Sequence, residues 1–133
     1  MAFVLGASVA LAWALEKEER PAAMRAQALI ETEVAFVPAI WWFEIGNVLL
    51  VNERRGRLTQ NDTAAFLRAL SSMSVQIDRR AVQPNMLALA RSHRLTVYDA
   101  AYLELAMRAA LPLATLDRAL ADAARAEGVA LLG

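Results

Sequence analysis

The chain has 133 residues, 58% of them hydrophobic and 21% charged, which suits one folded domain with its own core and excludes a disordered protein. Its 14 basic and 14 acidic residues cancel, which argues against a strongly basic nucleic-acid coat protein but allows an enzyme that meets nucleic acid through a local patch. The sequence has no cysteine and one histidine, so disulfides, thiolate metal sites and a zinc site are not expected.

The amino-terminal apolar stretch, residues 1–15, does not resemble a targeting or membrane segment. No basic residue precedes it, and it is too short to span a bilayer. We therefore expect no leader peptide and no membrane association. The absence of cysteine also permits a reducing compartment such as the cytoplasm.

Strand-like apolar runs alternate with helical patterns along the whole chain. Because strands separated by helices imply right-handed crossovers, we predict an α/β fold, a three-layer α/β/α sandwich with a mostly parallel central sheet, as a single domain over residues 1–133. The predicted order is strand 3–5, helix 8–19, helix 21–31, strand 34–37, helix 38–55, helix 60–70, strand 75–77, helix 82–93, strand 95–97, helix 98–110, strand 113–116, helix 118–126 and strand 129–132.

Three predicted strand-to-helix junctions share one pattern: an apolar run, a single residue, and an alanine-rich helix. The single residues are Gly6, Asp99 and Asp117. Because the carboxyl ends of parallel strands meet at one edge, where ligands bind, we expect the two aspartates to lie close enough to share a cation. Either aspartate alone is better explained as a helix N-cap, which contributes about 1 kcal/mol.

A third carboxylate, Glu44, stands in the apolar helical segment PAIWWFEIGNVLL. A buried lone carboxylate is costly unless it is paired or binds metal. Asn47 falls on the same helical face, where it could hold the carboxylate or touch a substrate. Together with Asp99 and Asp117, Glu44 predicts a hard divalent cation, Mg²⁺ or Mn²⁺. Such a site activates water and screens phosphate charge, as phosphodiester hydrolysis requires.

Four short motifs follow one another along the chain. The first strand is followed by Gly6-Ala7-Ser8, and a helical glutamate is followed by an asparagine at Glu44 and Asn47. The segment 95–102 reads LTVYDAAY, and Thr115-Leu116-Asp117 closes the series. In this order and at these spacings the motifs resemble the PIN-domain ribonucleases, specifically the VapC-type toxins of type II toxin–antitoxin pairs. The resemblance covers essentially the whole chain.

The resemblance implies an endoribonuclease, dependent on Mg²⁺ or Mn²⁺, that hydrolyses RNA phosphodiester bonds. By matching position, Glu44, Asp99 and Asp117 would be the catalytic, metal-binding acids, and Ser8 and Thr115 would hydrogen-bond within or beside the site. The resemblance also implies a cytoplasmic homodimer that is silenced by a VapB-type antitoxin.

Gly6 departs from the family pattern, which has its first catalytic aspartate at this position. Because glycine offers no metal ligand, we expect impaired or absent ribonuclease activity in a chain that keeps its fold. Two origins are open, a naturally decayed toxin and a selected or deliberate inactivating substitution. A structural explanation is also open, namely a turn that requires a positive φ.

Two other functions follow from these observations. A catalytically silent protein of the same family would act by dimerising and binding antitoxin. A phosphoryl-accepting receiver domain would also cluster acids on a parallel sheet, but it needs a lysine near the end of a late strand, whereas Lys17, the sole lysine, lies in the first predicted helix.

Arginines around the acidic edge are candidate RNA contacts, although for any one of them a solvated charged surface is the commoner role. The three tryptophans are interpreted as core or interface residues because they fall at helical spacing. The RNA-binding candidates are Arg54, Arg55, Arg91, Arg94 and Arg118.

Overall fold

The computed structural model describes residues 1–15 and 20–133. The end of the first predicted helix and Lys17 lie outside the described residues. Within the described residues, four strands and seven helices follow one another. They are β1 (Phe3–Leu5), α1 (Ala7–Leu15), α2 (Pro21–Leu29), β2 (Ala35–Pro38), α3 (Trp41–Arg54), α4 (Gln60–Ser71), β3 (Val75–Asp78), α5 (Gln83–His93), α6 (Val97–Ala109), β4 (Leu113–Ala114) and α7 (Arg118–Ala126).

The four strands form one all-parallel sheet in the order β3-β2-β1-β4. The chain moves outward from β1 through β2 to β3 and then returns across the sheet to β4. Because parallel crossovers are right-handed, this reversal places α1 to α4 on one face and α5 with α6 on the other. The predicted α/β/α sandwich with a parallel central sheet is therefore confirmed.

The reversal of direction occurs at β1, which pairs with β2 on one side and β4 on the other. In open parallel sheets a crevice forms beyond the carboxyl ends of the strands at this point. Gly6 directly follows β1, and Thr115 directly follows β4. The topology thus places these two segments side by side at the mouth of the crevice.

The core is apolar and centred on β1. All three β1 side chains are fully buried, and Trp41 is buried with them. Trp13 and Trp42 are partly buried and pack against this core, and the indole N–H of Trp13 donates to the Ala23 carbonyl at 2.9 Å. The interpretation of the tryptophans as packing residues is confirmed. Over the part of the chain that the structure describes, no helix is long and apolar enough to cross a bilayer.

The predicted strand at residues 95–97 is wrong. Helix α5 ends at Arg94, which adopts the left-handed conformation with φ 53°, and α6 begins almost at once. Thr96 is the N-cap of α6, since its hydroxyl accepts the Asp99 N–H at 3.1 Å. Asp99 therefore enters the site from the first turn of a helix and not from the end of a strand.

Two further boundaries differ from the prediction for reasons visible in the hydrogen bonds. Strand β4 stops at Ala114 because the next free amide, Leu116 N–H, donates to the Ser8 hydroxyl at 3.0 Å instead of a strand. The predicted strand at 129–132 is reduced to a single bridge between Leu131 and Leu113. The amide of Val129 closes the end of α7 by donating to the Ala124 carbonyl at 2.8 Å.

Candidate active site

Three carboxylates meet at the carboxyl edge of the sheet. Glu44 and Asp99 lie in the first turns of α3 and α6, and Asp117 is the N-cap of α7. Each helix starts at this edge because the strands or turns before it end there. The structure places Asp99 close enough to interact electrostatically with both Glu44 and Asp117.

The three carboxylates interact electrostatically. Burial raises the pKa of Glu44, and the charge of Asp99 raises it further, against a lowering by the hydrogen bond from Tyr102. Burial and then the charge of Asp117 raise the pKa of Asp99. Within residues 1–15 and 20–133, no salt bridge joins any of the three acids to a basic side chain. Among these residues, therefore, no ion pair offsets their mutual repulsion.

This donor set has the chemistry of a hard-cation site, because carboxylate oxygens are the ligands that Mg²⁺ and Mn²⁺ prefer. A bound cation would also offset the repulsion among the three acids. Across the described ranges, however, no group of three Asp, Glu, His or Cys side chains is close enough to hold one ion. The residues fit a metal in type and charge, because Mg²⁺ usually keeps several waters and binds only one or two carboxylates, and the metal centre stays a prediction.

Gly6 is packed against the neighbouring strand. Its N–H donates to the Ala114 carbonyl at 2.8 Å, and a Cβ at Gly6 would lie 2.6 Å from the same oxygen, closer than real Cβ contacts. A side chain here requires the backbone of β4 to shift. The explanation by positive φ is wrong, because the glycines with positive φ are Gly56, Gly128 and Gly133. Close approach of two strands is what requires glycine at this position.

Ser8 and Thr115 hold the loop that carries Asp117. The Ser8 hydroxyl accepts the Leu116 N–H across the crevice, and the Thr115 hydroxyl accepts the Asp117 N–H at 3.1 Å. Asp117 is also an N-cap, since its Oδ1 accepts the Leu120 N–H at 2.8 Å. Because that bond uses Oδ1, Oδ2 remains for another ligand, and the capping and metal-binding interpretations are compatible.

Similarity to known proteins assigns the family. Residues 3–126 match the PIN domain. The chain belongs to the PIN domain family. Over 83 residues it is 37% identical to Ribonuclease VapC3 of Pyrobaculum aerophilum, an alignment that covers 60% of this chain and 63% of that protein. The aligned region thus spans less than two thirds of that relative. The VapC-type resemblance of the motifs is confirmed.

A solved structure supports the same fold. The crystal structure of PAE2754 from Pyrobaculum aerophilum superposes with a TM-score of 0.73 at 24% sequence identity. The match covers 92% of this chain and 84% of that chain. At this identity the likeness establishes the PIN fold for nearly the whole chain.

In this PIN domain the residue that holds Glu44 is Tyr102, which the sequence reasoning assigned no role. The Tyr102 hydroxyl donates to Glu44 Oε1 at 2.6 Å. Asn47 is exposed, and among the described residues no hydrogen bond joins it to Glu44. The available signal was the position of Tyr102, three residues after Asp99 and hence on the same side of a helix.

Helix α3 is less buried than its apolar sequence predicted. Trp41, Ile45 and Leu49 are fully buried, whereas Phe43 is 75% exposed and Leu50 is exposed as well. Glu44 is accordingly half-buried. A carboxylate at this boundary can be reached from solvent by a cation or a substrate.

The candidate RNA-binding arginines are all exposed, but they are not equally placed. Arg118 follows Asp117 and lines, with it, an open depression of about 530 Å³. Arg54 and Arg55 lie at the other end of α3, about 15 Å from Glu44 at the rise of a helix. Arg91 and Arg94 flank the turn between α5 and α6. Of the five, Arg118 is the one that the chain places directly beside an acid of the site.

Proposed function

We propose that this PIN domain is a metal-dependent endoribonuclease toxin of a type II toxin–antitoxin pair, with its activity impaired by Gly6. The observation that carries the proposal is the proximity of Asp99 to both Glu44 and Asp117 at the sheet edge, with no salt bridge to any of the three among the described residues. Similarity to a protein named Ribonuclease VapC3 supports RNA as the substrate and hydrolysis as the reaction.

In this proposal Glu44, Asp99 and Asp117 hold Mg²⁺ or Mn²⁺. When bound, such an ion activates water and screens the charge of the phosphodiester. The chain's own residues orient the acids, since Ser8 and Thr115 fix the loop before α7. Arg118 offers a planar donor group for a phosphate oxygen next to Asp117.

A cytoplasmic homodimer and a VapB-type antitoxin belong to the same proposal. Exposed aromatic side chains close to the acids support a protein partner at this edge. Phe43 precedes Glu44 and is 75% exposed, and Tyr98 precedes Asp99 and is 58% exposed. Apolar side chains grouped on a surface favour partner binding.

The second candidate function is a catalytically silent PIN-domain protein that dimerises and binds antitoxin. The packing at Gly6 favours it, because the Ala114 carbonyl occupies the space that a side chain at position 6 needs. Loss of a ligand costs at least as much as loss of a residue behind the ligands, which typically lowers metal affinity or activity about 10–100-fold.

Cleavage of an RNA mixture tests the proposal. The chain is compared with Gly6→Asp and with Gly6→Ala, each with Mg²⁺ or Mn²⁺ and with chelator. Gly6→Ala is the matched control, since it adds the Cβ without the carboxylate. We expect cleavage by Gly6→Asp alone, stopped by chelator.

Other outcomes separate the candidates. If the folded parent and Gly6→Asp are both inactive, the nuclease proposal loses its support, and tight binding to a VapB-type antitoxin then favours the silent protein. If the parent cleaves as well as Gly6→Asp, the three acids suffice and Gly6 does not impair the site.

A further inference from the structure

Tyr102 joins the two helices that carry Glu44 and Asp99. Its side chain belongs to α6 and is almost fully buried, and its hydroxyl donates to Glu44 Oε1 on α3 at 2.6 Å. The two residues are 58 positions apart in the chain. This bond is therefore a tertiary connection that fixes one candidate metal-binding acid relative to the helix of another.

The Tyr102 hydroxyl also lies near the turn after β1. The backbone of Ala7, the residue after Gly6, lies near the Tyr102 hydroxyl and opposes the rise in its pKa that burial causes. A phenol has a single hydrogen to donate, and here Glu44 receives it. Tyr102 thus lies at the corner where the Gly6 turn, α3 and α6 meet.

Packing alone does not require this arrangement. The Tyr102 ring fills core space that a phenylalanine would fill as well, whereas its hydroxyl in the interior is costly without a partner. That partner is a half-buried carboxylate with solvent on its other side. Groups that orient ligands from behind in this way set the geometry of a metal site.

We propose that Tyr102 is a positioning residue, which holds the Glu44 carboxylate in the orientation needed to bind the divalent cation. The inference rests on the proposed function, because it takes Glu44 as a metal ligand. Loss of the hydroxyl should lower metal affinity about 10–100-fold, the usual effect of removing a group that orients a ligand.

The test is Mn²⁺ affinity of the full chain, measured by calorimetry or electron paramagnetic resonance, for the parent and Tyr102→Phe. Thr63→Val is the control, because it removes a buried hydroxyl of α4 that has no hydrogen-bond partner among the described residues. We expect Tyr102→Phe to lose affinity about 10–100-fold with little change in its unfolding midpoint, and Thr63→Val to keep the parental affinity. Unchanged affinity in folded Tyr102→Phe would overturn the proposal.

A double variant tests whether the Tyr102 hydroxyl affects metal affinity through Glu44. Because Tyr102 acts through Glu44, Glu44→Gln combined with Tyr102→Phe should lose no more Mn²⁺ affinity than Glu44→Gln alone. Additive losses would show that the phenol acts elsewhere and would overturn the proposal, even if Tyr102→Phe lowers affinity by itself.

A crystal structure of Tyr102→Phe separates failure of this inference from failure of the proposed function. If the parent and Gly6→Asp both bind no Mn²⁺, the metal-nuclease function fails. Glu44 turned away from its parental position in Tyr102→Phe would still establish positioning by the phenol, whereas Glu44 unmoved would refute it.

Discussion

Two groups of acids lie at or near the carboxyl edge of the sheet, and they differ in their partners. Asp78 ends β3, and with Glu104 of α6 it is nearly fully buried, with side chains 2% and 3% exposed. Arg108 binds both, at 2.8 Å to Glu104 and 3.2 Å to Asp78, and Arg80 donates to Asp78 at 2.8 Å. The other group, Glu44 with Asp99 and Asp117, has no such cation among the described residues.

The pKa values of the acids show the effect of having or lacking arginine partners. Burial alone would raise the pKa of Asp78, yet the hydrogen bonds from Arg80 and Arg108 outweigh it and hold the pKa well below its ordinary value. Burial raises the pKa of Glu44 and of Asp99, and neighbouring carboxylates add to it. Burial therefore does not separate the two groups. The arginines neutralise the first group, whereas no salt bridge among the described residues neutralises the second.

The largest expected effect is at Asp78. Asp78→Asn removes one partner of a buried ion pair, so we expect the free energy of unfolding to fall by about 3 kcal/mol in a denaturant titration. Asp122→Asn is the matched control, because its pair with Arg125 is 65% exposed on both sides and should change stability by less than about 0.5 kcal/mol. Equal effects of the two variants would contradict the distinction between a buried and a surface pair.

The next effect concerns Gly6. Gly6→Ala places a Cβ against the Ala114 carbonyl, so we expect a loss of about 1–3 kcal/mol in the free energy of unfolding, typical of overpacking. Gly46→Ala in α3 is the control, since nothing lies within 4 Å of its Cβ, and it should stabilise the chain by about 0.5–1 kcal/mol. Both are measured by chemical denaturation. If Gly6→Ala has the same free energy of unfolding as the parent, the β4 backbone can shift without loss of stability and the prediction is wrong.

Asp99, Gly6 and Tyr102 show which parts of the structure local sequence patterns predict and which they do not. The parallel sheet and most of its elements follow from apolar periodicity and from motifs. Asp99 was assigned to the end of a strand, because the β-branched residues Thr96 and Val97 favour strands locally. The side-chain cap at Thr96 prevails instead. The contacts of Gly6 and Tyr102 join segments that are distant in the chain, and local patterns do not contain them.

A smaller effect of opposite sign is expected at the group formed by Glu44, Asp99 and Asp117, called here the open group. Asp99→Asn removes a charge that Asp117 and Glu44 repel and leaves the cap bond of the Asp99 amide in place. We expect a gain of about 0.5 kcal/mol in the free energy of unfolding, because the repulsion from the neighbouring carboxylates is removed. Denaturant titrations of Asp99→Asn and Asp78→Asn side by side should give changes of opposite sign. Destabilisation by both would mean that Asp99 is structurally satisfied.

The smallest effect is in the dependence of stability on pH. Glu44 and Asp99 have raised pKa values when folded, so the folded chain binds more protons and stability rises as the pH falls from 7 towards about 4. Asp78 has a lowered pKa, so its contribution is present above about pH 4 and is lost below it. In thermal melts across this range, Asp99→Asn should flatten the rise, and Asp78→Asn should flatten the acid loss. If stability still rises to the same extent in Asp99→Asn as the pH falls from 7 to about 4, the raised pKa of Asp99 is contradicted.

Thermal unfolding with and without Mn²⁺ tests the central claim, that the open group of acids binds a divalent cation. A ligand present at a hundred times its dissociation constant stabilises the folded chain by about 2.7 kcal/mol. We expect Mn²⁺ to raise the unfolding midpoint of the parent by several degrees and to leave that of Asp99→Asn unchanged. An equal rise in both chains, or no rise in the parent, would contradict the account.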